Sequence, residues 1–153
     1  MDKPKIYFTG IKGAIQMAEE LAAARDKDLA LHKAIQRGDL NEVRRLVEEG
    51  ADVNASKGSY GSTPVMLASV RGDLQILTLL VERGADVNAR DQDGWTALMG
   101  AVVEGRMAAA QFLVEKGADV NALNNKNQSA LMMASKMRNE SIRNLLLEHG
   151  ARG

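Results

Sequence analysis

The chain has 153 residues, a length typical of one domain, and its 20 Lys+Arg balance its 20 Asp+Glu, so the formal net charge is zero. A neutral chain lacks the basic surface that supplies most affinity for nucleic acid or for anionic membranes, so we expect neither as a partner. The absence of cysteine excludes disulfides, thiol catalysis and cysteine-ligated metals.

Hydrophobic residues make up 45% of the chain but aromatic residues only 3%. Alanine, leucine and valine must therefore do most of the packing, and small side chains favour closely spaced helices. No apolar run approaches the ~18 residues of a membrane span, and the first residues hold no uninterrupted apolar stretch of a signal peptide. We expect a cytoplasmic location; a leader removed before Met1 would leave no trace in this sequence.

Residues 1–27 come before any repeated text and are interpreted as an N-terminal extension. They contain a short apolar cluster, Ile6-Tyr7-Phe8, followed by a predicted amphipathic helix over residues 11–25. The apolar face of this helix is formed by Ala14, Met17, Ala18 and Leu21. Three interpretations stay open: a helix that covers the apolar side of the first repeat, a docking segment for a partner or an intramolecular lid over the groove, or disorder.

One hexapeptide, Gly-Ala-Asp-Val-Asn-Ala, occurs three times in the chain. The copies occupy residues 50–55, 84–89 and 117–122, and a truncated copy, Gly-Ala, occupies residues 150–151. From start to start the copies are 34, 33 and 33 residues apart. A constant period of this length indicates an array of stacked structural units.

The residues between the hexapeptides repeat as well, and each unit is typical of a helix, a tight turn and a second helix. Thr63, Thr96 and Ser129 are predicted N-caps, whose hydroxyls can accept a backbone N–H. Pro64 then falls at the first helical position, where its missing N–H costs nothing.

Glycines are predicted to end the helices. Gly72 and Gly105 end the first helix of their units in a left-handed conformation. The last unit has Arg138 at this position, and we expect Asn139 to supply the left-handed residue instead. Apolar residues recur at helical spacing in the second helices, which the hexapeptide glycines end.

The 33-residue period, the Thr-Pro-x-x-x-Ala pattern at residues 63–68 and the hexapeptide resemble ankyrin repeats. The resemblance covers residues 28–153. It implies an all-α ankyrin-repeat solenoid of stacked helix-turn-helix units with β-hairpin-like loops, preceded by the N-terminal helix. The expected repeats span 28–55, 56–89, 90–122 and 123–153. Each unit buries its apolar face only against its neighbours, so the interfaces supply most of the stability.

One column of the repeats departs from the family. Where ankyrin repeats usually have a histidine that bonds between neighbouring loops, this chain has Met66, Met99 and Met132, and only His32 keeps the histidine. Methionine cannot donate a hydrogen bond. We therefore expect looser coupling between loops, compensated by apolar packing of the thioether.

No catalytic, metal or cofactor site is expected. The two histidines, His32 and His149, lie far apart in the stack. The run from Asp91 to Gly94 superficially resembles a calcium loop, but the first and twelfth loop positions would be Ala89 and Gly100, which cannot ligate. We find no phosphate loop and no convergent pair of carboxylates, so we expect the chain not to be an enzyme.

The resemblance implies binding of another protein through loop tips and the inner-helix groove, by a chain that is monomeric on its own. Carried over by position, the tip residues are Ser59, Tyr60, Ser62, Gln92, Asp93, Trp95, Asn125, Lys126 and Gln128. The groove residues are Val70, Arg71, Val103, Glu104, Lys136 and Met137. We expect the fold to require none of them. Trp95 is a candidate hot spot, although its ring could instead pack on the adjacent loop.

Three functions fit this pattern. The first is a protein-binding module or adaptor. The second is an inhibitor or immunity-type protein that blocks one enzyme, which would also act by binding. The third is a peptide or small-molecule sensor that uses the groove and the N-terminal segment, and a deep apolar pocket under residues 6–24 would favour it.

Overall fold

The computed structural model describes residues 10–153, and the Ile6-Tyr7-Phe8 cluster lies outside them. Eight helices follow one another over this range. They are α1 (Gly10–Arg37), α2 (Leu40–Glu48), α3 (Pro64–Arg71), α4 (Leu74–Glu82), α5 (Ala97–Val103), α6 (Met107–Glu115), α7 (Ala130–Lys136) and α8 (Glu140–Glu148).

The helices form two layers. Helices α1, α3, α5 and α7 pack side by side as an inner row, and α2, α4, α6 and α8 form an outer row behind it. Each inner helix also packs on the outer helix that follows it. The described residues contain no sheet, only an isolated antiparallel bridge between Lys57 and Ser62. The prediction of an all-α solenoid of stacked helix pairs is confirmed.

Small side chains let the inner helices approach one another. Each inner helix places one alanine at the same position, and all four are fully buried: Ala34, Ala68, Ala101 and Ala134. Larger aliphatic side chains from the outer helices, such as Ile76, Leu113 and Ile142, fill the space between the layers. The core is therefore one elongated seam that runs through every repeat, as expected for an array whose units cannot bury their apolar face alone.

Capping residues start the helices where the sequence predicts. The hydroxyls of Thr96 and Ser129 accept hydrogen bonds from backbone N–H groups at the first turns of α5 and α7, at 3.3 and 3.2 Å. Thr63 is the N-cap of α3, which Pro64 begins. The buried Thr63 Oγ1, however, has no hydrogen-bond partner in the described structure.

The turn of the last repeat corrects one prediction. Arg138 itself adopts the left-handed conformation, with φ of 56°. Asn139 does not, because it is the N-cap of α8 and its side chain accepts a hydrogen bond from Ile142 N at 3.1 Å. An N-cap needs an extended rather than a left-handed backbone, so the strain falls on the arginine.

Each asparagine of the hexapeptide bridges two repeats. Asn88 Nδ2 donates to Gly117 O at 3.0 Å, and Asn88 Oδ1 accepts from Asp119 N at 2.8 Å. Asn54 and Asn121 make the same pair of bonds to the repeats that follow them. The hexapeptide aspartates act locally, since each accepts a backbone N–H from its own turn.

Helix α1 is longer than predicted. The expected N-terminal helix and the inner helix of the first repeat form one helix of 28 residues, so the predicted boundary between residues 27 and 28 falls inside it. At ~1.5 Å per residue, the part of it that precedes residue 28 is about 27 Å long. Its apolar side chains are exposed, Ile11 by 79% and Leu21 by 49%. These exposed side chains mean that the described part of the segment buries little apolar surface on the first repeat.

Candidate protein-binding surface

The loops that join successive repeats stack side by side. The second-repeat loop closes on itself through Lys57 N to Ser62 O at 2.9 Å and Ser62 N to Lys57 O at 3.0 Å. The third-repeat loop joins it through Gln92 N, which donates to Tyr60 O at 2.9 Å. The fourth-repeat loop joins the third through Asn125 N, which donates to the carbonyl of Asp93 at 2.9 Å. The tips therefore form one continuous ridge.

A groove runs beside this ridge along the inner helices, and three open cavities lie in it. The first, of ≈ 240 Å³, lies between α1 and the second-repeat loop and is lined by residues that include Lys33, Lys57 and Tyr60. The second, of ≈ 160 Å³, lies between α3 and α5. The third, of ≈ 270 Å³, lies between α5 and α7 and includes Lys136 and Met137.

Trp95 borders both the second and the third cavity. Its backbone N–H donates to Asp91 Oδ1 at 2.9 Å, which holds the residue at the base of its loop. Its side chain is half-buried and packs against the core. Trp95 thus packs in part on the core and also borders two cavities, and its role as a binding hot spot stays a prediction.

The sequence comparison decides the family. The family model described as ankyrin repeats (3 copies) matches residues 10–91 and 88–153, which together include every described residue. The chain belongs to the ankyrin-repeat family. No curated protein matches it. Ankyrin repeats are generally protein-interaction modules and are typically not enzymes.

Every predicted contact residue of this ankyrin-repeat chain reaches the surface. Most are exposed, Tyr60 by 64%. Four are half-buried: Ser62, Trp95, Val103 and Gln128. The tip residues lie along the ridge, and the predicted groove residues follow the inner helices beside it, so the solenoid brings residues from three repeats onto one face.

Three predicted contact residues also support the fold, which corrects the expectation that it requires none of them. Arg71 Nη1 donates to Gln36 O at 2.7 Å, at the end of α1. Asn125 Nδ2 donates to the carbonyl of Gln92 at 2.9 Å. The Gln128 side chain accepts from Asn124 Nδ2 at 3.0 Å within its loop. Changing these residues would disturb the ankyrin stack as well as any partner contact.

Sequence reasoning missed a column of groove residues. The position after the histidine or methionine of each ankyrin repeat holds Lys33, Leu67, Gly100 and Met133 in turn, and all four line the cavities. This column could have been found from the sequence, because aligning the repeats shows a single glycine, Gly100, where the other repeats have larger side chains. Lys57 of the second-repeat loop was missed as well.

In the histidine–methionine column, the histidine bonds as the resemblance implies. His32 Nε2 lies 3.0 Å from Ser62 O in the next loop, so the predicted bond between loops is confirmed. Met66 Sδ only accepts Thr63 N of its own repeat, at 3.4 Å. Met66 and Met99 are buried, as predicted, but Met132 is 47% exposed because no repeat follows it in the described structure.

The described residues show little that suggests chemistry. Residues 10–153 hold no cluster of three or more histidine, cysteine, aspartate or glutamate side chains that could bind a metal ion. The hydrogen bond from Arg45 lowers the pKa of Glu42, but this pair lies on α2, in the outer layer. Over the same range, no helix combines the length and apolar character that crossing a bilayer requires.

Proposed function

We propose that this ankyrin-repeat chain is a protein-interaction module, or adaptor, which binds a partner protein through its loop ridge and inner-helix groove. One observation carries the proposal: Trp95 lies where the ridge meets the groove and lines two cavities. Large, partly desolvated aromatic side chains of this kind dominate the energetics of interfaces. Tyr60 adds a second exposed aromatic side chain at the neighbouring tip.

The test is affinity purification from cells of the source organism, followed by mass spectrometry, with the full chain and its Trp95→Ala and Tyr60→Ala variants. The wild-type chain should recover one partner protein. Trp95→Ala should weaken its binding at least tenfold, which corresponds to about 1.4 kcal/mol.

Phe112→Ala is the matched control. Phe112 is another half-buried aromatic residue, but it lies on α6 in the outer layer. Its truncation should lower stability about as much as that of Trp95 and leave partner recovery unchanged. If the two variants reduced recovery equally, loss of folding rather than loss of contact would explain the result, and the proposal would be wrong.

An inhibitor of one enzyme would use the same surface. The same purification separates it from an adaptor, because the recovered partner would be an enzyme whose activity falls when the wild-type chain is added. The sensor alternative has less support, since residues 10–24 are exposed except for Gly13 and Met17. None of these residues lines the three cavities.

A further inference from the structure

The second cavity exists because Gly100 has no side chain. Gly100 lies inside α5, and a Cβ atom added there would be 2.9 Å from Val70 Cγ2. The neighbouring inner helices carry Leu67 and Met133 at this position. No left-handed turn requires a glycine here, and a glycine inside a helix is less stable than an alanine. The missing side chain keeps this second cavity, called the notch below, open in the floor of the groove.

The walls of this notch are mainly apolar. Met66, Leu67, Val70 and Trp95 surround it. Its volume of ≈ 160 Å³ is comparable to that of a dry protein cavity of ~150 Å³ that accepts a benzene molecule. One leucine-sized side chain of a partner would fit.

One carboxylate, that of Asp91, borders the notch, but the protein already uses it. Asp91 Oδ1 accepts hydrogen bonds from Asp93 N and Trp95 N, both at 2.9 Å. Its charge is thus directed at its own loop. The notch offers apolar contact more than charge.

The cavities on either side of the notch are lined by positively charged side chains instead. Lys33 and Lys57 line the first cavity, and Lys136 lines the third. In the described structure, none of these three ammonium groups takes part in an ion pair. Glu104 lies at the end of α5 but does not line the three cavities. Along the repeats, the groove therefore runs from positive to apolar to positive.

The distance between neighbouring inner helices can be converted into a number of residues along a bound peptide. Packed helices lie 8–10 Å apart, and an extended chain rises about 3.3 Å per residue. One repeat thus corresponds to about three residues of an extended segment that crosses the inner helices.

We infer that the groove binds an extended partner segment which places one leucine-sized side chain over Gly100 and acidic side chains about three residues before and after it. Lys57 and Lys136 belong to the repeats on either side of Gly100 and match this spacing, and Lys33 lies one repeat further along. This inference rests on the proposed function. The lysines recognise the acidic residues by charge, and the notch selects the central residue by shape. Because exposed ion pairs are screened by salt, affinity should fall as ionic strength rises.

The test uses a phage-displayed library of random twelve-residue peptides, selected on the immobilised full chain. The selected peptides should be enriched in Glu or Asp three positions on either side of a Leu, Ile or Met. Absence of enrichment, or enrichment of an unrelated pattern, would overturn the inference.

Variants that reverse the charge of the groove lysines test whether these lysines recognise the acidic residues. The same selection on Lys57→Glu/Lys136→Glu should favour Lys or Arg at the flanking positions. The control variant, Lys12→Glu/Lys116→Glu, carries the same change in charge away from the groove and should select the wild-type pattern. If both double variants altered the pattern equally, net charge rather than the groove lysines would be responsible, and the inference would fail.

The notch is tested by titration of the most enriched peptide. Trp95 is the only tryptophan of the chain, so its fluorescence reports directly on the groove. Gly100→Leu should weaken binding at least tenfold and Gly100→Ala by a smaller factor, while both variants keep the wild-type helical circular dichroism. If the wild-type, Gly100→Ala and Gly100→Leu chains bound the peptide with equal affinity, the notch would not be a binding site and the inference would be wrong.

The outcome also separates the two proposals. If a cellular partner binds wild-type and Gly100→Leu chains equally but is lost with Trp95→Ala, the proposed function stands and the inference is wrong. If selected peptides show the acidic pattern but no cellular protein is recovered, the groove chemistry stands and the adaptor proposal fails.

Discussion

Asn88 Oδ1 accepts a hydrogen bond of 2.8 Å from the backbone N–H of Asp119, 31 residues further along the chain. Together with the bond from Asn88 Nδ2 to Gly117 O, it joins the second repeat to the third. We expect Asn88→Ala to lower the free energy of unfolding by about 2 kcal/mol, since two hydrogen bonds of about 1 kcal/mol each are lost. Urea denaturation followed by circular dichroism measures this change.

The matched control is Asn144→Ala. Asn144 is an exposed residue of α8 in the outer layer, where a surface substitution should change stability by less than about 0.5 kcal/mol. Similar losses for the two variants would show that the bridge between repeats contributes nothing of its own.

Gly94 separates the cost of a left-handed backbone from the cost of crowding. Its φ is 78°, and an added Cβ atom would lie 2.9 Å from the backbone N of Asn125 in the next loop. Gly58 has a similar φ of 81° but open space around it. Gly58→Ala should cost about 1 kcal/mol from backbone strain, and Gly94→Ala at least about 1 kcal/mol more from overpacking. Thermal unfolding of both variants checks the difference; equal costs would contradict the close approach of the loops.

Arg138 offers a stabilising change. It holds a φ of 56°, where the second and third repeats have Gly72 and Gly105. Arg138→Gly should raise the free energy of unfolding by about 0.5–1 kcal/mol, because glycine adopts this conformation without a steric penalty. Arg143→Gly, inside α8, makes the same chemical change at a helical position and should instead lower it by about 1 kcal/mol. A destabilised Arg138→Gly chain would mean that the arginine side chain contributes more than its strain costs.

The ion pair on α2 gives a pH dependence with a defined sign. Arg45 Nε donates to Glu42 Oε2 at 2.9 Å and lowers the pKa of Glu42 from its usual value of 4.5. A lowered folded pKa means that the pair stabilises the fold above pH 4.5 and that this contribution is lost as the pH falls through the folded pKa. Arg45→Ala should therefore raise the pKa of Glu42 towards 4.5, as measured by carbon NMR of the carboxyl group. Arg44→Ala, beside it, should leave the titration unchanged.

Local patterns in the sequence were enough to predict the repeats. A hexapeptide, an N-cap and a helix-ending glycine each act over a few residues, so Thr96, Gly72 and Pro64 could be assigned from the text alone. Their regular recurrence then implied stacking, because a single helix pair cannot bury its own apolar face. The family and the fold class followed directly.

Positions that suit two different local structures were harder to predict. Asn139 suits either a left-handed turn or an N-cap, and only the start of α8 shows that the cap prevails. The continuity of α1 across residue 27 depends on the absence of any helix-breaking residue there, which a search for repeats does not weigh. The contact residues of the groove remain a prediction from family position.

The sequence by itself determined that four similar units stack into one apolar seam, since periodic small and aliphatic residues can be buried in no other way. Only the tertiary structure decided which side chains meet between the units. The notch over Gly100, the three lysines beside it and the position of Trp95 between two cavities depend on residues about 33 positions apart lying side by side. Such distances are set by helix packing, and no local pattern encodes them.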